Sequence, residues 1–129
     1  MINLNDCIRR GTVESINYQN GTVKIVQEDR DDAVSFDLPL MSFEYDPPNI
    51  GDMVVAVFLS SDNTTGFIIG KPYNDLNKPS NGRKNIIRKN YDLDAFVEYD
   101  KSSKTLTFQA QNVVIKGDDV QIIREGEVE

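Results

Sequence analysis

The apolar residues of this chain recur mostly with the two-residue period of β-strands, in short runs bounded by Gly, Asn, Asp and Ser. No segment of the first 73 residues keeps a helical period over three turns. The pattern predicts five strands, at Gly11–Asn17, Gly21–Gln27, Ala33–Leu38, Asp52–Leu59 and Thr65–Gly70. Five short strands are too few for a sandwich, and closure removes exposed edges. We therefore expect an all-β protein with a five-stranded OB-like barrel over residues 1–73.

Two local signals refine the first half of the predicted barrel. Asn20-Gly21 indicates a tight β-hairpin, because both residues tolerate positive φ. Val13 and Ile16 are out of phase for a single strand face, which predicts a bulge in the first strand. Apolar positions that alternate along the strands give a predicted barrel core of Val13, Val23, Ile25, Val55, Val57 and Ile69.

The pattern changes after residue 73. Residues 74–90 are rich in Asn, Lys, Gly and Pro, a composition that predicts a linker. Short strands return from Tyr91 onward, and the pattern places them at Ala95–Tyr99, Thr105–Ala110, Asn112–Lys116 and Val120–Ile123.

Residues 91–129 pose a burial problem. About 39 residues with apolar side chains on both sides of several strands are too few to form a stable domain alone. The same segment from three identical chains, wound around one axis, would bury those side chains and pair the strand edges. We therefore predict a homotrimer with an inter-chain core that contains Phe96, Leu106, Phe108, Val114, Val120 and Ile122.

Composition narrows the possible functions. The chain has 14 Lys and Arg residues against 21 Asp and Glu residues, a net charge of −7, whereas nucleic-acid binders are usually basic. It contains no His, which removes the commonest general acid or base and the commonest transition-metal ligand. With one cysteine, Cys7, a conventional zinc site and an internal disulfide are both excluded, and Cys7 is read as a small apolar filler. We expect no catalytic residue, cofactor or metal.

No apolar run approaches the ~20 residues that cross a bilayer, and the first ten residues lack the apolar core of a signal peptide. We therefore expect the chain to fold in the cytoplasm without disulfides.

Three stretches suggest other chemistry. Carboxylates crowd residues 28–32, but the spacing and glycine of a calcium loop are missing, which favours a solvated hairpin tip. A basic cluster in the predicted linker (Arg83, Lys84, Arg88 and Lys89), with Phe36 and Tyr45 as stacking platforms, is the basis of the alternative hypothesis, an OB-fold nucleic-acid-binding protein. Glu44 and Asp46 could be imagined as a glycosidase pair, but nothing in the sequence places them in a cleft.

Three motifs, in order, resemble a known family. The first is Gly11-Thr12-Val13 followed by Asn20-Gly21-Thr22-Val23-Lys24-Ile25, and the third is Phe96-Val97-Glu98-Tyr99-Asp100 with Thr105-Leu106-Thr107. The second and most specific is Gly51-Asp52-Met53-Val54-Val55-Ala56-Val57-Phe58-Leu59 with Gly66-Phe67-Ile68-Ile69-Gly70-Lys71-Pro72-Tyr73-Asn74. Together they resemble the baseplate assembly protein V or central-spike proteins of contractile phage tails and phage-tail-like particles.

The resemblance implies an OB-fold domain followed by a short trimeric β-helix that forms a spike beneath the tail tube. The implied role is mechanical, since the spike is driven into the target cell envelope when the sheath contracts. The implied partners are two further copies of the chain and other baseplate and tail-tube proteins. The needle itself would be short, blunt, or completed by a separate tip protein. The implied location is the baseplate of a virion or phage-tail-like particle, after synthesis in the bacterial cytoplasm. Many members carry a His-x-His iron site at the tip, and this sequence, which has no His, does not match that feature.

Overall fold

A computed structural model describes residues 4–59 and 64–126 of the chain. The chain divides into two compact units, residues 1–77 and 78–129, which we call the N-terminal unit and the C-terminal unit. The boundary falls inside the predicted linker at 74–90. The part of the chain that the structure describes is all-β, and its only helical stretches are one α-helical turn, Leu4–Cys7 (α1), and a 3-10 turn, Glu28–Arg30.

The N-terminal unit is an antiparallel sheet of six strands. Five of them are ordered β3-β2-β1-β5-β6, and β4 also pairs with β2. The strands are β1 (Ile8–Asn17), β2 (Thr22–Gln27), β3 (Ala33–Val34), β4 (Leu38–Pro39), β5 (Met53–Phe58) and β6 (Gly66–Gly70).

The β1–β2 hairpin and its bulge are found as predicted, although the turn takes the four residues 18–21 and, of Asn20 and Gly21, only Gly21 has a positive φ. Gly21 has a φ of +67°, in the left-handed region that the tight turn requires, and its N–H donates to the Asn17 carbonyl at 2.9 Å. The pairing of β1 with β2 shifts register between Val13 and Ser15, where the bulge was expected. The predicted third strand is interrupted. At Ser35 the backbone N–H donates to the Ile25 carbonyl, while the Ser35 hydroxyl accepts from the Ile25 N–H, so side-chain bonding replaces part of the ladder.

The hydrophobic core lies on one side of this sheet, and half of the predicted core is confirmed. Its buried residues are Val13, Val23, Ile25, Leu38, Val54, Ala56, Phe58 and Ile68. The prediction of Val55, Val57 and Ile69 as core residues is wrong by one residue in each strand. Alternate residues of a strand point to opposite faces, so β5 buries its even-numbered positions and turns Val55 and Val57 to the other face. In β6, Ile68 is buried and Ile69 is 49% exposed.

The sheet is open. In the described residues β6 pairs only with β5, and no ladder joins it to β3 or β4, although β4 lies beside β6. A closed OB-like barrel is therefore not confirmed, and the N-terminal unit is an open antiparallel sheet around one core.

The C-terminal unit begins with a second antiparallel sheet, ordered β7 (Ile86–Asp92), β8 (Ala95–Asp100) and β9 (Thr105–Gln109). Strand β7 starts inside the segment predicted as a linker, and its polar residues are held in place by pairing with β8. Strands β8 and β9 match the predicted pair.

Residues 110–126, which we call the tail segment, form no strand in the single chain and are exposed throughout. The strands predicted at Asn112–Lys116 and Val120–Ile123 are therefore absent from this described stretch, and a β-helix is not confirmed. Residues 127–129, the end of the predicted spike segment, lie outside the described residues. Nowhere in residues 4–59 and 64–126 is there a helix long and apolar enough to cross a membrane.

Candidate assembly surface

One face of the three-stranded sheet of the C-terminal unit carries five apolar side chains, with Lys89 of the edge strand β7 beside them. The register places Ile87, Tyr99 and Leu106 side by side across β7, β8 and β9, and Lys89, Val97 and Phe108 two residues further along. Residues directly opposite in an antiparallel ladder share a face. We call Ile87, Val97, Tyr99, Leu106 and Phe108 the apolar face.

Most of the apolar face is open to solvent. Leu106 is 55% exposed and Phe108 is 66% exposed, and Ile87 is also more than half exposed. Val97 at the centre is half-buried. Large apolar residues that contact each other across strands stabilise a sheet when other parts of the protein shield them from water. Within one chain, this face has little such shielding.

On the opposite face of the same sheet, the polar side chains contact one another. The Arg88 Nη1 donates to Glu98 Oε1 at 3.1 Å, and the Asn81 Nδ2 donates to the same oxygen at 2.7 Å. The Arg88 guanidinium also stacks over the Phe96 ring, 3.5 Å from its centroid. The Arg88 and Glu98 side chains are only 16% and 18% exposed. The polar groups of this face therefore bond to one another, and among residues 4–59 and 64–126 it is the apolar face that is left largely uncovered.

The six residues predicted for the trimer core fall into three places. Leu106 and Phe108 are brought together on the apolar face. Phe96 lies on the opposite face, half-buried beneath Arg88, because it is one residue out of phase with Val97. The remaining three, which are 74%, 50% and 94% exposed, lie in the tail segment: Val114, Val120 and Ile122.

Sequence reasoning missed three members of the apolar face: Ile87, Val97 and Tyr99. The signal was present in the alternation of Val97 and Tyr99 along β8, whereas the predicted residue of this strand, Phe96, lies in the opposite phase. Ile87 could be found only once β7 was recognised as a strand.

The basic cluster does not form one strip. Arg88 and Lys89 are adjacent in β7, so they point to opposite faces of the sheet. Arg88 is engaged by Glu98, and the Lys89 ammonium lies 5.4 Å from the centroid of the Tyr91 ring. The proposed stacking residues Phe36 and Tyr45 are both exposed, at 60% and 70%, and belong to the N-terminal unit.

The acidic stretches have a structural explanation. Asp31 and Asp32 both adopt left-handed backbone conformations, with φ of 57° and 58°, at the turn between β2 and β3. The Thr12 hydroxyl donates to Glu28 Oε1 at 2.6 Å, and this hydrogen bond holds the pKa of Glu28 below its ordinary value. Across residues 4–59 and 64–126, no three Asp, Glu or Cys side chains are placed to hold a metal ion. Glu44 and Asp46 are both exposed on the segment between β4 and β5.

Compared with known proteins, the chain matches no protein-family model and no curated protein.

Proposed function

We propose that this chain is a structural protein of a contractile phage tail or phage-tail-like particle, in which three copies form the central spike or hub of the baseplate. The single observation that carries the proposal is the unpartnered apolar surface of the C-terminal unit. It consists of the apolar face together with the exposed tail segment, where Val113, Val114, Ile115, Val120, Ile122 and Ile123 are each at least half exposed.

Stable monomers rarely expose an apolar surface of this size. The tail segment has no ladder in the single chain, although its apolar runs are rich in the β-branched residues Val and Ile, which favour strands. When identical chains are arranged around one axis, the neighbouring copies can bury the apolar face and can pair with the tail segment.

Simple geometry supports three copies. Strands lie about 4.8 Å apart, so a three-stranded face is about 14 Å wide. Three such faces close a triangular prism whose axis lies about 4 Å from each face, which matches half of the ~10 Å spacing between packed sheets. Four faces would leave the axis about 7 Å away and the centre unfilled. In this arrangement Leu106 and Phe108 point to the axis and the Arg88–Glu98 layer points to solvent.

The N-terminal unit is the collar of the proposed spike. Strand β4 already lies beside β6, so a small inward movement of β4 would complete an OB-like barrel of the kind the sequence motifs suggest. The partners in this proposal are two further copies of the chain, neighbouring baseplate and tail-tube proteins and a separate tip protein. The target cell envelope is contacted when the sheath contracts. The role is mechanical and uses no catalysis.

The experiment is the molecular mass of the purified full chain in solution, measured by light scattering at several concentrations. One chain has a mass of 14.6 kDa, and we expect a particle of three times that mass. A monomer or a dimer at all concentrations would refute the proposal. Salt-dependent retention on a DNA column would favour the nucleic-acid alternative, and we expect none because the net charge is −7.

A further inference from the structure

A segment of the C-terminal unit lies against the polar face of its sheet, and we call this segment, residues 78–85, the strap. Two strap side chains bond to the strands beside it. The Asn81 Nδ2 donates to Glu98 Oε1 at 2.7 Å, and the Ser80 hydroxyl donates to Asn90 Oδ1 at 3.2 Å. The register of β7 and β8 places both acceptors on the polar face, opposite the apolar face. These two hydrogen bonds therefore hold the strap to the sheet.

The strap contains a reactive residue pair, Asn81-Gly82, and the sequence has one other pair of this kind, Asn20-Gly21. Asparagine is one of the thermolabile residues of proteins. When glycine follows it, no Cβ obstructs the approach of the glycine nitrogen to the asparagine side chain. The glycine N–H gives up its proton, and the nitrogen attacks Cγ. The N–Cγ bond forms, the Cγ–Nδ2 bond breaks, and Nδ2 takes up a proton and leaves as ammonia.

Water completes the reaction by opening the resulting succinimide ring. If water cleaves the new N–Cγ bond, the product is aspartate. If it cleaves the original main-chain bond, the product is isoaspartate, in which the main chain runs through the side-chain carbon. Water is the only co-reactant, and nothing is oxidised or reduced.

The two Asn-Gly pairs differ in the state of the glycine N–H. The Gly21 N–H donates to the Asn17 carbonyl at 2.9 Å, so this hydrogen bond must break before the nitrogen can attack. Among the described residues no carbonyl accepts from the Gly82 N–H, and Gly82 is exposed to the water that removes its proton. The net free energy of one hydrogen bond corresponds to about a two- to tenfold difference in rate in favour of Asn81.

The surroundings of Gly82 also favour the attack. The nitrogen is negatively charged once it has lost its proton, and two exposed cations, Arg83 and Lys84, follow it directly. The Arg83 N–H donates to the Asn81 carbonyl at 3.0 Å, which draws electron density out of the peptide group that must lose the proton. Glu98 bonds to the Nδ2 atom of Asn81, which is the leaving group, and so occupies neither Cγ nor the attacking nitrogen.

We propose that Asn81 is a site of spontaneous deamidation through Gly82, and that this modification releases the strap from the polar face. The product carries a carboxylate where the Asn81 Nδ2 now donates to Glu98, so a hydrogen bond is replaced by repulsion between like charges. Isoaspartate in addition lengthens the main chain of the strap by one methylene group. The inference does not depend on the trimer, since every contact it uses lies within the C-terminal unit.

The experiment measures the deamidation rate at both Asn-Gly pairs of the full-length chain during incubation in mildly alkaline buffer. Mass spectrometry of proteolytic fragments locates the replacement of NH₂ by OH, and an isoaspartate-specific methyltransferase labels the isoaspartate product. We expect Asn81 to react faster than Asn20, by about two- to tenfold.

A glycine variant tests the chemistry at the site. Gly82→Ala should slow the reaction at Asn81 severalfold, because the added methyl group obstructs the attack. The fold should tolerate this change, since a Cβ on Gly82 would lie 3.5 Å from Pro79 Cβ, an ordinary contact. The matched control is Gly70→Ala in the N-terminal unit, where a Cβ would meet no atom within 4 Å, and it should leave the rate at Asn81 unchanged.

A second variant tests the release of the strap. Asn81→Asp carries the product carboxylate, and in a ¹⁵N-resolved NMR spectrum it should shift the amides of Ser80, Gly82 and Glu98. Asn20→Asp, in the N-terminal unit, should leave those amides in place. If Asn81→Asp does not fold, the same amides are followed in the wild-type chain as it deamidates.

Two results would overturn the inference. Deamidation of Asn20 at a rate equal to or above that of Asn81 would show that the free glycine N–H does not select the site. Amides of the strap and of Glu98 that stay in place after the carboxylate has formed would show that the strap is not released. A chain that proves monomeric yet deamidates at Asn81 as described retains this inference and loses the trimer.

Discussion

Replacement of Phe108 by serine separates the stability of one chain from the stability of the assembly. In the single chain the Phe108 side chain is 66% exposed on β9, so most of its apolar area is still in contact with water. Its loss should therefore change the free energy of unfolding of the isolated chain by less than about 1 kcal/mol, as for other surface positions. Association behaves differently, because in the proposed prism this area is buried.

The size of the effect on association follows from the exposed fraction of the Phe108 side chain. Full burial of a large apolar side chain contributes about 1.5–3 kcal/mol, so the two thirds still exposed leave about 1–2 kcal/mol per chain for association. Three copies lose about 3–6 kcal/mol together, which weakens the trimer equilibrium constant by about two to four orders of magnitude.

The assay is sedimentation equilibrium of the wild type and of Phe108→Ser over a range of chain concentrations, with urea unfolding of the variant as the measure of single-chain stability. Phe36→Ser is the matched control, because Phe36 is 60% exposed and belongs to the N-terminal unit. A variant that associates as strongly as the wild type would refute the placement of the apolar face at an interface. Equal weakening by Phe36→Ser would show that the effect does not depend on this face.

Two further predictions concern the N-terminal unit. Ile25→Ala, at a fully buried position, should lower the free energy of unfolding in urea by about 2–5 kcal/mol. Ile69→Ala, at a half-exposed position, should lower it by less than half as much. A larger effect of Ile69→Ala would contradict the observed face of β6. Thr12→Val should return the pKa of Glu28 towards its ordinary value, as followed by NMR of the carboxyl carbon; an unchanged pKa would show that the hydroxyl is not its cause. Because the folded-state pKa is depressed, the Thr12 contribution is present above the unfolded-state pKa and is lost as the pH falls through the folded-state pKa.

Local signals in the sequence predicted the structure correctly where neighbouring residues alone determine the backbone conformation. The Asn20-Gly21 turn and the bulge near Val13 depend on neighbouring residues and were predicted correctly. The buried face of β5 was predicted incorrectly, because Met53–Phe58 is apolar at every position and has no polar residue to mark the outer side. Ala56 is small enough to be overlooked as a core residue, yet it is fully buried.

Non-local pairing accounts for the other differences. Strand β7 has the composition of a linker, and it becomes a strand because Ile86–Asn90 pair with Phe96–Asp100. The same register places Phe96 on the polar face and not with Leu106 and Phe108 as predicted. The tail segment is the limiting case. Its apolar pattern predicts strands, and among the described residues it pairs with no other strand.

The charges around the apolar runs of the tail segment bear on aggregation. Stacked cross-β assemblies favour continuous uncharged segments of about six or seven residues. Here Val113–Ile115 is followed by Lys116, Val120–Ile123 is followed by Arg124, and Asp118-Asp119 separates the two runs. Each run is therefore too short to form a fibril spine by itself, and like charges would stack on one another in any in-register array. A newly made chain can thus expose apolar side chains while its charged flanking residues act as gatekeepers against amyloid.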